Sequence, residues 1–411
     1  MKNSVIQHLP PTPSTSSTLS TKVILVRHAR TTYNEQQRYQ GSSDESVLTA
    51  KGIRNAFSTG LALLEYDFDA IYTSPLKRVW QTTNEILAAL KAYNNSPPVY
   101  SDRLLTEISM SYWQGLYYQQ VKEKFPQAYN CWQNTPHLFS FNNIYPVLEL
   151  FEKARLFWQK VLTQHYGQTI LIVAHGGTNR ALISTAVGLQ PENYHSLQQS
   201  NCGISCLEFT SKNNGKLKYL NATYHLGETL PKLKAGKTGW RWLLLSDNVK
   251  NLSDRLLLNK LSNGNIDLLL TEYSTTRLGR TGARIQFAPM KSVMLGKPQH
   301  PSRSISESCA QKLATNFKIP HLTLAANQFF NWQQTIINRQ KPPNSTEQSH
   351  LSTALIIASD KLIARILMKT FQIDTSHFQD ILTVVHYPQS TNQQILQGIL
   401  PLTSNAIAIT K

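Results

Sequence analysis

The 411-residue chain contains only four cysteines, and their spacing matches neither a metal-binding finger nor a disulfide framework. Cys202 and Cys206 stand four residues apart without a second pair to complete a zinc site, and Cys131 and Cys309 are isolated. This scarcity excludes a small protein held together by disulfides. We expect reduced thiols, most of them buried.

Long apolar runs are also absent. No stretch approaches the roughly 18 apolar residues that a membrane helix needs, and residues 1–21 are rich in Ser, Thr and Pro without the basic-then-apolar order of a signal peptide. We therefore expect a disordered segment over 1–21, a cytoplasmic location and no membrane partner. With 41% hydrophobic residues, a chain of this length is predicted to form two globular domains.

Acidic residues are scarce, since 24 Asp and Glu face 41 Lys and Arg and the formal charge is +17. The positive excess is spread along the chain without a dense basic block, which gives no specific sign of nucleic-acid binding. A diffuse positive field attracts small anions as well. We expect a small anionic metabolite as the partner and no nucleic acid, and the sequence leaves open whether the chain forms a homo-oligomer.

Residues 22–226 alternate short aliphatic runs with longer helical patterns, which predicts an α/β fold with a mainly parallel sheet between two layers of helices. The predicted strands cover 22–26, 68–73, 169–174 and 204–209. The predicted helices cover 48–64, 79–92, 148–165 and 178–188, the first beginning at Thr49 and the last closed by Gly188.

A Gly- and Lys-rich stretch over 227–240 is predicted to be a linker between two domains. After it, 241–411 reads as an imperfect copy of the first domain, because Trp242-Leu-Leu-Leu-Ser-Asp247 resembles Val23-Ile-Leu-Val-Arg-His28 and two later strands follow in the same order. The polar residues at the strand ends differ between the halves. We expect a degenerate domain of the same type that has kept the scaffold and lost the chemistry.

Polar side chains follow three of the predicted strands directly. The first strand ends in Arg27-His28, another ends in His175-Gly-Gly at the start of a helix, and a third ends in Ser74-Pro-Leu-Lys-Arg78. The carboxyl ends of parallel strands meet at one edge of a sheet. Guanidinium groups and a helix N-terminus both bind phosphate oxygens. The sequence therefore predicts a phosphate pocket that contains two histidines.

These motifs resemble those of the histidine phosphatase superfamily, also called the phosphoglycerate mutase-like family, over residues 22–226. The matching motifs occur in the family's order: Leu25-Val-Arg-His28, Asn34, Arg38-Tyr-Gln-Gly41, Asp44 with Leu48-Thr-Ala-Lys-Gly52, Ser74-Pro-Leu-Lys-Arg78, Leu105-Thr-Glu-Ile108, Trp113-Gln-Gly115 and Ala174-His-Gly176. The resemblance implies a phosphoglycerate mutase-like fold. Two departures are Ala29, where the family has glycine, and Gln114, where members commonly carry an acidic residue.

The resemblance also implies the roles of the site residues. His28 would be the nucleophile that becomes phosphohistidine, and Glu107 the acid that protonates the leaving alcohol. His175 would complete the catalytic set by holding the phosphoryl oxygens together with the arginines. The implied substrate-binding residues are Arg27, Asn34 and Arg78. This chemistry uses charged side chains around the phosphoryl group, so we expect no metal and no cofactor.

We therefore expect a metal-independent phosphatase that hydrolyses a small phosphorylated metabolite, a sugar or sugar-acid phosphate, through a phosphohistidine intermediate. The two-domain arrangement resembles cyanobacterial proteins labelled 2-carboxy-D-arabinitol-1-phosphatase-like. A phosphoglycerate mutase is one alternative. A regulatory pseudo-enzyme that only binds phosphate is another, although Arg27, His28, Arg78, Glu107 and His175 are all retained.

Overall fold

The computed structural model describes residues 20–211, 214–234, 236, 238–248, 265–272, 321–324, 328–331, 333, 351–375, 381–389 and 393–402. Its described strands form one sheet of twelve. The predicted disordered segment lies outside the described residues except for Ser20 and Thr21, and Thr21 begins the first strand. Cys131, Cys202 and Cys206 are free thiols, and Cys309 lies outside the described part.

The first half of the sheet is mainly parallel, as predicted. Its strands are β1 (Thr21–Arg27), β2 (Ala70–Thr73), β3 (Val99–Ser101), β4 (Thr169–Ala174), β5 (Ile204–Ser211) and β6 (Asn214–Ala222). The spatial order is β3-β2-β4-β1-β5-β6. The first four strands run parallel, whereas β5 pairs antiparallel with β1 and β6 pairs antiparallel with β5. β1 and β4 are therefore neighbours with their carboxyl ends at the same edge.

Helices cover both faces of this half, because alternate side chains of β1 belong to different cores. Val23 and Leu25 pack with the helix that precedes β4, and Ile24 and Val26 pack with the helix that follows β2. The helices are α1 (Thr32–Glu35), α2 (Ala50–Ala62), α3 (Lys77–Lys91), α4 (Tyr118–Lys124), α5 (Pro126–Asn134), α6 (Pro146–Gln164) and α7 (Gly176–Val187).

Two helix ends follow the sequence signals closely. The Thr49 hydroxyl accepts a hydrogen bond from Gly52 N–H and caps α2. Gly188 closes α7 with a left-handed φ of 80° that a residue with a Cβ adopts only with strain. α3 and α7 each begin two residues earlier than predicted, so Arg78 and the two glycines after His175 belong to first helical turns.

The second half of the sheet contains β7 (Gly239–Ser246), β8 (Leu268–Glu272), β9 (His321–Leu324), β10 (Leu351–Ala358), β11 (Ile381–Tyr387) and β12 (Ile395–Pro401), with helix α8 (Asp360–Phe371) after β10. β7 begins within the stretch predicted as linker. The spatial order of these strands is β9-β8-β10-β7-β11-β12. When the strands of each half are counted along the chain, this spatial order is the same as that of the first half. β6 pairs antiparallel with β12 through Leu220 and Ile399, which joins the two halves into one sheet.

Candidate active site

A cavity of about 230 Å³ lies at the carboxyl ends of the parallel strands of the first half. Five of the six predicted site residues line it: Arg27, His28, Asn34, Arg78 and Glu107. The sixth, His175, lies beside the cavity with its ring centroid 5.4 Å from that of His28. The structure thus brings together residues separated by as many as 148 positions, because their strands and helices end at one edge of the sheet.

His28 follows β1 directly and its side chain is buried. Its Nδ1 lies 2.8 Å from the carbonyl oxygen of Ala29, and because a carbonyl oxygen only accepts, Nδ1 carries the proton and Nε2 carries the lone pair. Burial, followed by the charges of Arg27 and Arg78, holds the pKa of His28 well below its usual value. The ring is therefore neutral at neutral pH, in the protonation state that a nucleophile requires.

The alanine that replaces the family's glycine fits this loop. Ala29 is buried and does not take a positive φ, so the backbone at this position carries no left-handed strain. Its N–H donates to the Thr82 hydroxyl at 3.0 Å, and its carbonyl holds His28. Ala29 thus positions the ring of His28 through its backbone, which an alanine supplies as well as a glycine.

His175 is the residue before α7 and is fully buried. Its Nε2 lies 2.8 Å from the hydroxyl of Ser74, the residue after β2. Burial and then the charges of Arg78, His28 and Arg27 hold the pKa of His175 well below its usual value. Its Nδ1 is buried without a hydrogen-bond partner among the residues that the structure describes.

The two predicted arginine clamps are anchored by backbone carbonyl oxygens. Arg78 donates from Nη1 to Ser43 at 2.6 Å and from Nη2 to Gly41 at 2.7 Å. Arg27 donates from Nη1 to Gln199 at 2.9 Å. Burial lowers the pKa of Arg78 to about 10, against the opposing charges of Glu107 and Asp44, so this guanidinium stays charged at neutral pH.

Each of these arginines also has an unused donor. In the described part of the chain, the Nε atoms of Arg27 and Arg78 are buried and have no hydrogen-bond partner. Buried polar groups are normally satisfied, and unsatisfied ones cluster at functional sites. The wall around His28 thus has spare donors and positive charge, which suits an anion with several oxygens.

Glu107 is held at the N-terminus of α7. Its Oε2 accepts from Gly177 N–H at 3.0 Å, and its Oε1 accepts from Thr178 N–H at 3.1 Å and from Ile108 N–H at 2.9 Å. Helix N-termini favour carboxylates in this position. A Cβ at Gly177 would collide with the Glu107 carboxyl group and the Tyr194 hydroxyl, so the second glycine after His175 makes room for the predicted acid.

Asn34 supports the loop around His28 in a way that the sequence did not reveal. Its Oδ1 accepts from Asn201 Nδ2 at 3.0 Å, and the same Nδ2 lies 3.0 Å from the carbonyl oxygen of His28. Asn34 also forms a reciprocal cap with Thr31 at the start of α1. The side chain therefore connects the nucleophile loop to Asn201 in addition to lining the cavity.

Sequence reasoning missed several residues that line the cavity, among them Arg180, Tyr194, Gln199 and Lys234. Arg180 follows the His175 motif closely, five residues after His175 on α7. That closeness was the sequence signal that could have identified it. Tyr194 is buried, and its ring lies 5.4 Å from the Arg180 guanidinium. Gln199 contributes a backbone carbonyl, and Lys234 belongs to the predicted linker, so neither forms part of a sequence motif.

Within the described residues, no group of three or more His, Cys, Asp or Glu side chains is arranged to hold a metal ion. The helices of the same part of the chain include none with the length and apolar character required to cross a membrane.

Comparison with known proteins identifies the family of this site. The model of the histidine phosphatase superfamily (branch 1) matches residues 23–223. The chain is 42% identical over 194 residues to a probable 2-carboxy-D-arabinitol-1-phosphatase of Arabidopsis thaliana, a match that covers 47% of this chain and 39% of that protein. It is 41% identical over 207 residues to the 2-carboxy-D-arabinitol-1-phosphatase of Triticum aestivum, covering 50% of this chain and 40% of the wheat protein.

The match thus spans about two fifths of the length of these two plant relatives. Phosphoserine phosphatase 1 of Hydrogenobacter thermophilus is matched almost completely, with 32% identity over 207 residues that cover 50% of this chain and 95% of that protein. All three matches cover about half of this chain, as does the family model. By its ordered motifs, its geometry and these relatives, the chain belongs to the histidine phosphatase superfamily.

Proposed function

We propose that the protein is a metal-independent phosphatase that hydrolyses a sugar phosphate or sugar-acid phosphate through a phosphohistidine at His28. One observation carries the proposal: the Nδ1 proton of a buried, neutral His28 is held by the Ala29 carbonyl oxygen, which leaves the Nε2 lone pair for attack. Arg27 and Arg78 line the same cavity as His28, and the His175 ring centroid lies 5.4 Å from that of His28. We assign these three residues to the phosphoryl oxygens.

In the first step, His28 Nε2 forms a bond to phosphorus as the bond from phosphorus to the ester oxygen breaks. The leaving oxygen takes a proton from the Glu107 carboxyl group, which hydrogen bonds from the start of α7 hold in place. The guanidinium groups of Arg27 and Arg78 stabilise the charge on the transferring phosphoryl oxygens. In the second step, water attacks phosphorus, Glu107 takes a proton from it, and His28 leaves in its neutral form.

The substrate class rests on the charge of the cavity and on the relatives. Of the described residues that line it, five are Arg or Lys and one, Glu107, is acidic. Such a cavity favours a ligand with more negative charge than a simple phosphate ester. The plant relatives carry the name of a phosphatase for a phosphorylated sugar acid. We extend this substrate class, but not one particular sugar acid, to the present protein.

The test measures phosphate release from phosphorylated sugars, sugar acids and 3-phosphoglycerate with EDTA present. We expect release from the intact protein, none from His28→Ala, and normal release from the matched control His137→Gln, whose side chain pairs with Glu192 outside the cavity. Alkaline quenching, which preserves the acid-labile phosphorus–nitrogen bond, followed by mass spectrometry should find the phosphoryl group on His28. Conversion of 3-phosphoglycerate to its isomer without phosphate release would instead indicate a mutase. Binding of these compounds without turnover by folded protein would indicate a pseudo-enzyme.

We further propose that the second half is a degenerate copy of the first. Its support is the repeated strand order and the residues at corresponding strand ends. Glu272 Oε2 accepts hydrogen bonds from the Ser359 N–H at 2.8 Å and the Ser359 hydroxyl at 2.6 Å, where the first half pairs Ser74 with His175. Asp247 follows β7 as His28 follows β1. An acidic residue at that position cannot act as a phosphohistidine nucleophile.

The same assay tests this proposal. If the second half lacks phosphatase chemistry, His28→Ala abolishes release from every compound in the panel, whereas residual turnover that Asp247→Ala removes would contradict it. The cytoplasmic location and the division into a domain over 22–226, a linker over 227–240 and a domain over 241–411 remain predictions.

A further inference from the structure

A lysine from the segment that joins the two halves reaches the candidate active site. Lys234 lies between β6 and β7, and its ammonium group donates to the carbonyl oxygen of Gln199. The same oxygen accepts from Nη1 of Arg27 at 2.9 Å. Two donors on one carbonyl oxygen are close neighbours, so the charge of Lys234 stands beside the guanidinium that we assign to the phosphoryl group.

The backbone around Lys234 is held by contacts with both halves. The Lys232 carbonyl oxygen accepts from Gln198 Nε2 at 3.0 Å, and the Pro231 carbonyl oxygen accepts from Arg241 of β7. Leu230 is buried in a core formed mostly by strands of the second half. These contacts place the lysine through the packing of the second half against the first. The second half thereby contributes a charge to a site that the first half otherwise builds.

Arg180 is the second cation in this region. Its Nε donates to the carbonyl oxygen of Leu197 at 2.8 Å, and its guanidinium lies over the Tyr194 ring at 5.4 Å from the centroid. Arg180 and Lys234 line both the main cavity and an adjoining one of about 180 Å³ that Gln393 and Ile395 of the second half also line. The two cations therefore stand where the two cavities meet.

Neither cation forms an ion pair with a carboxylate of the described residues. Removal of the ammonium group from water, and then the charges of Arg27 and Arg180, lower the pKa of Lys234 well below its usual value. Lys234, Arg27 and Arg180 repel one another in the free protein, and an anion that binds between such like charges stabilises them. We assign Arg27, Arg78 and His175 to the phosphoryl group, which leaves Arg180 and Lys234 for a second anion.

We propose that Arg180 and Lys234 bind a carboxylate of the substrate, and that they select phosphorylated acids over phosphate esters of neutral alcohols. This inference rests on the proposed function, which it deepens by assigning residues to substrate selection. It does not depend on turnover, because the carboxylate is bound before any bond to phosphorus changes.

The experiment compares two ligands that differ at one carbon. 3-Phosphoglycerate carries a carboxylate where glycerol 1-phosphate carries a neutral hydroxymethyl group. For the intact protein we expect KM about tenfold lower for 3-phosphoglycerate, as one charge-assisted contact provides. Lys234→Met should raise that KM about tenfold and change the KM for glycerol 1-phosphate by less than about twofold, with little change in kcat for either. Lys234→Arg should restore the preference.

Lys232→Met is the matched control, because Lys232 belongs to the same segment, pairs with Glu228 at 2.6 Å and lines neither cavity. Thermal unfolding of each variant checks that it folds. Equal increases in both KM values would place Lys234 in the phosphoryl clamp and overturn the proposal. Unchanged KM values, or an intact protein that does not distinguish the two compounds, would overturn it too.

Calorimetric titration of His28→Ala with the same two compounds separates this proposal from the proposed function. Tighter binding of 3-phosphoglycerate that is lost in the His28→Ala, Lys234→Met double variant would support the carboxylate site even if the intact protein hydrolyses neither compound. Equal binding of the two compounds by His28→Ala would overturn the carboxylate site even if the intact protein is an active phosphatase. If Lys234→Met does not fold, the comparison in His28→Ala alone decides between these outcomes.

Discussion

The Oε2 atom of Glu107 accepts a hydrogen bond from the backbone N–H of Gly177 at 3.0 Å. This contact joins the loop that carries the proposed acid to the helix that begins after His175. Gly177, the second glycine of the His-Gly-Gly motif, thus helps to position the carboxyl group of a residue 70 positions earlier in the chain.

Substitution of Gly177 by alanine should therefore remove activity more than stability. The new Cβ would displace the Glu107 carboxyl group, and we expect kcat to fall about 100-fold, the range in which a general acid contributes. Gly188→Ala at the other end of α7 is the control, because it strains a left-handed residue at a cost of about 1 kcal/mol without contacting the site. Similar kcat losses in both variants would show that Gly177→Ala acts only through helix stability.

Glu107→Gln should separate the two chemical steps. An alkyl phosphate needs its leaving oxygen protonated, so its kcat should fall about 100-fold or more. p-Nitrophenyl phosphate releases a stable anion, so stopped-flow mixing should still show a rapid burst of p-nitrophenolate followed by slow turnover. Glu123→Gln, which alters an exposed side chain bonded to Gln119, should behave as the unsubstituted protein. Equal slowing of the burst and the turnover would contradict the assigned role.

Gln114 should act as a positioning residue for Arg78. Its Oε1 accepts from the Ser42 hydroxyl at 3.1 Å and from Ser43 N–H at 3.0 Å, and the Ser43 carbonyl holds Arg78. Gln114→Ala should raise KM about three- to tenfold with a smaller effect on kcat, because the guanidinium loses its fixed anchor. Gln114→Glu keeps both acceptor contacts and should restore KM. A KM that stays unchanged in Gln114→Ala would show that Arg78 is positioned without this contact.

Buried neutral histidines should make the protein less stable in mild acid. Burial lowers the pKa of His225 to about 4, with its Nε2 3.1 Å from the Thr59 hydroxyl. Below about pH 6.5 the unfolded chain binds a proton at His225 and the folded chain does not. The stability that neutral His225 contributes is therefore fully present above that pH and is lost as the pH falls towards 4. Each such histidine changes the free energy of unfolding by up to about 1.4 kcal/mol per pH unit in this window.

Urea unfolding at a series of pH values between 7 and 4 measures this effect, as the slope of the free energy of unfolding against pH. His225→Gln, which keeps a polar group near Thr59, should make that slope less steep below about pH 6. An unchanged slope would show that His225 is protonated in the folded protein.

Much of the fold and the central part of the site follow from local patterns. Strand β4 begins and ends at the predicted residues, and α2 begins after the predicted Thr49 cap. The site could be predicted because Arg27 ends β1 and His28, Ser74 and His175 each directly follow a strand, and parallel strands carry such residues to one edge. The motifs of the superfamily added Glu107 and Asn34, which no periodicity identifies.

The remaining features depend on contacts between segments far apart in the chain. Gln199 contributes a carbonyl oxygen that any residue could supply, so its side chain carries no signal. Lys234 is one of several lysines in a Gly- and Lys-rich stretch, and nothing in its neighbours distinguishes it from Lys232, whose charge pairs with Glu228 instead. The sequence by itself determined strands β1, β2, β4 and β5 and helices α2, α3, α6 and α7 to within two residues at each end, because those follow from hydrophobic periodicity and capping. Only the tertiary structure decided that Lys234 lies beside Arg27. That position depends on how the β6–β12 pairing places the segment between β6 and β7 against the first half.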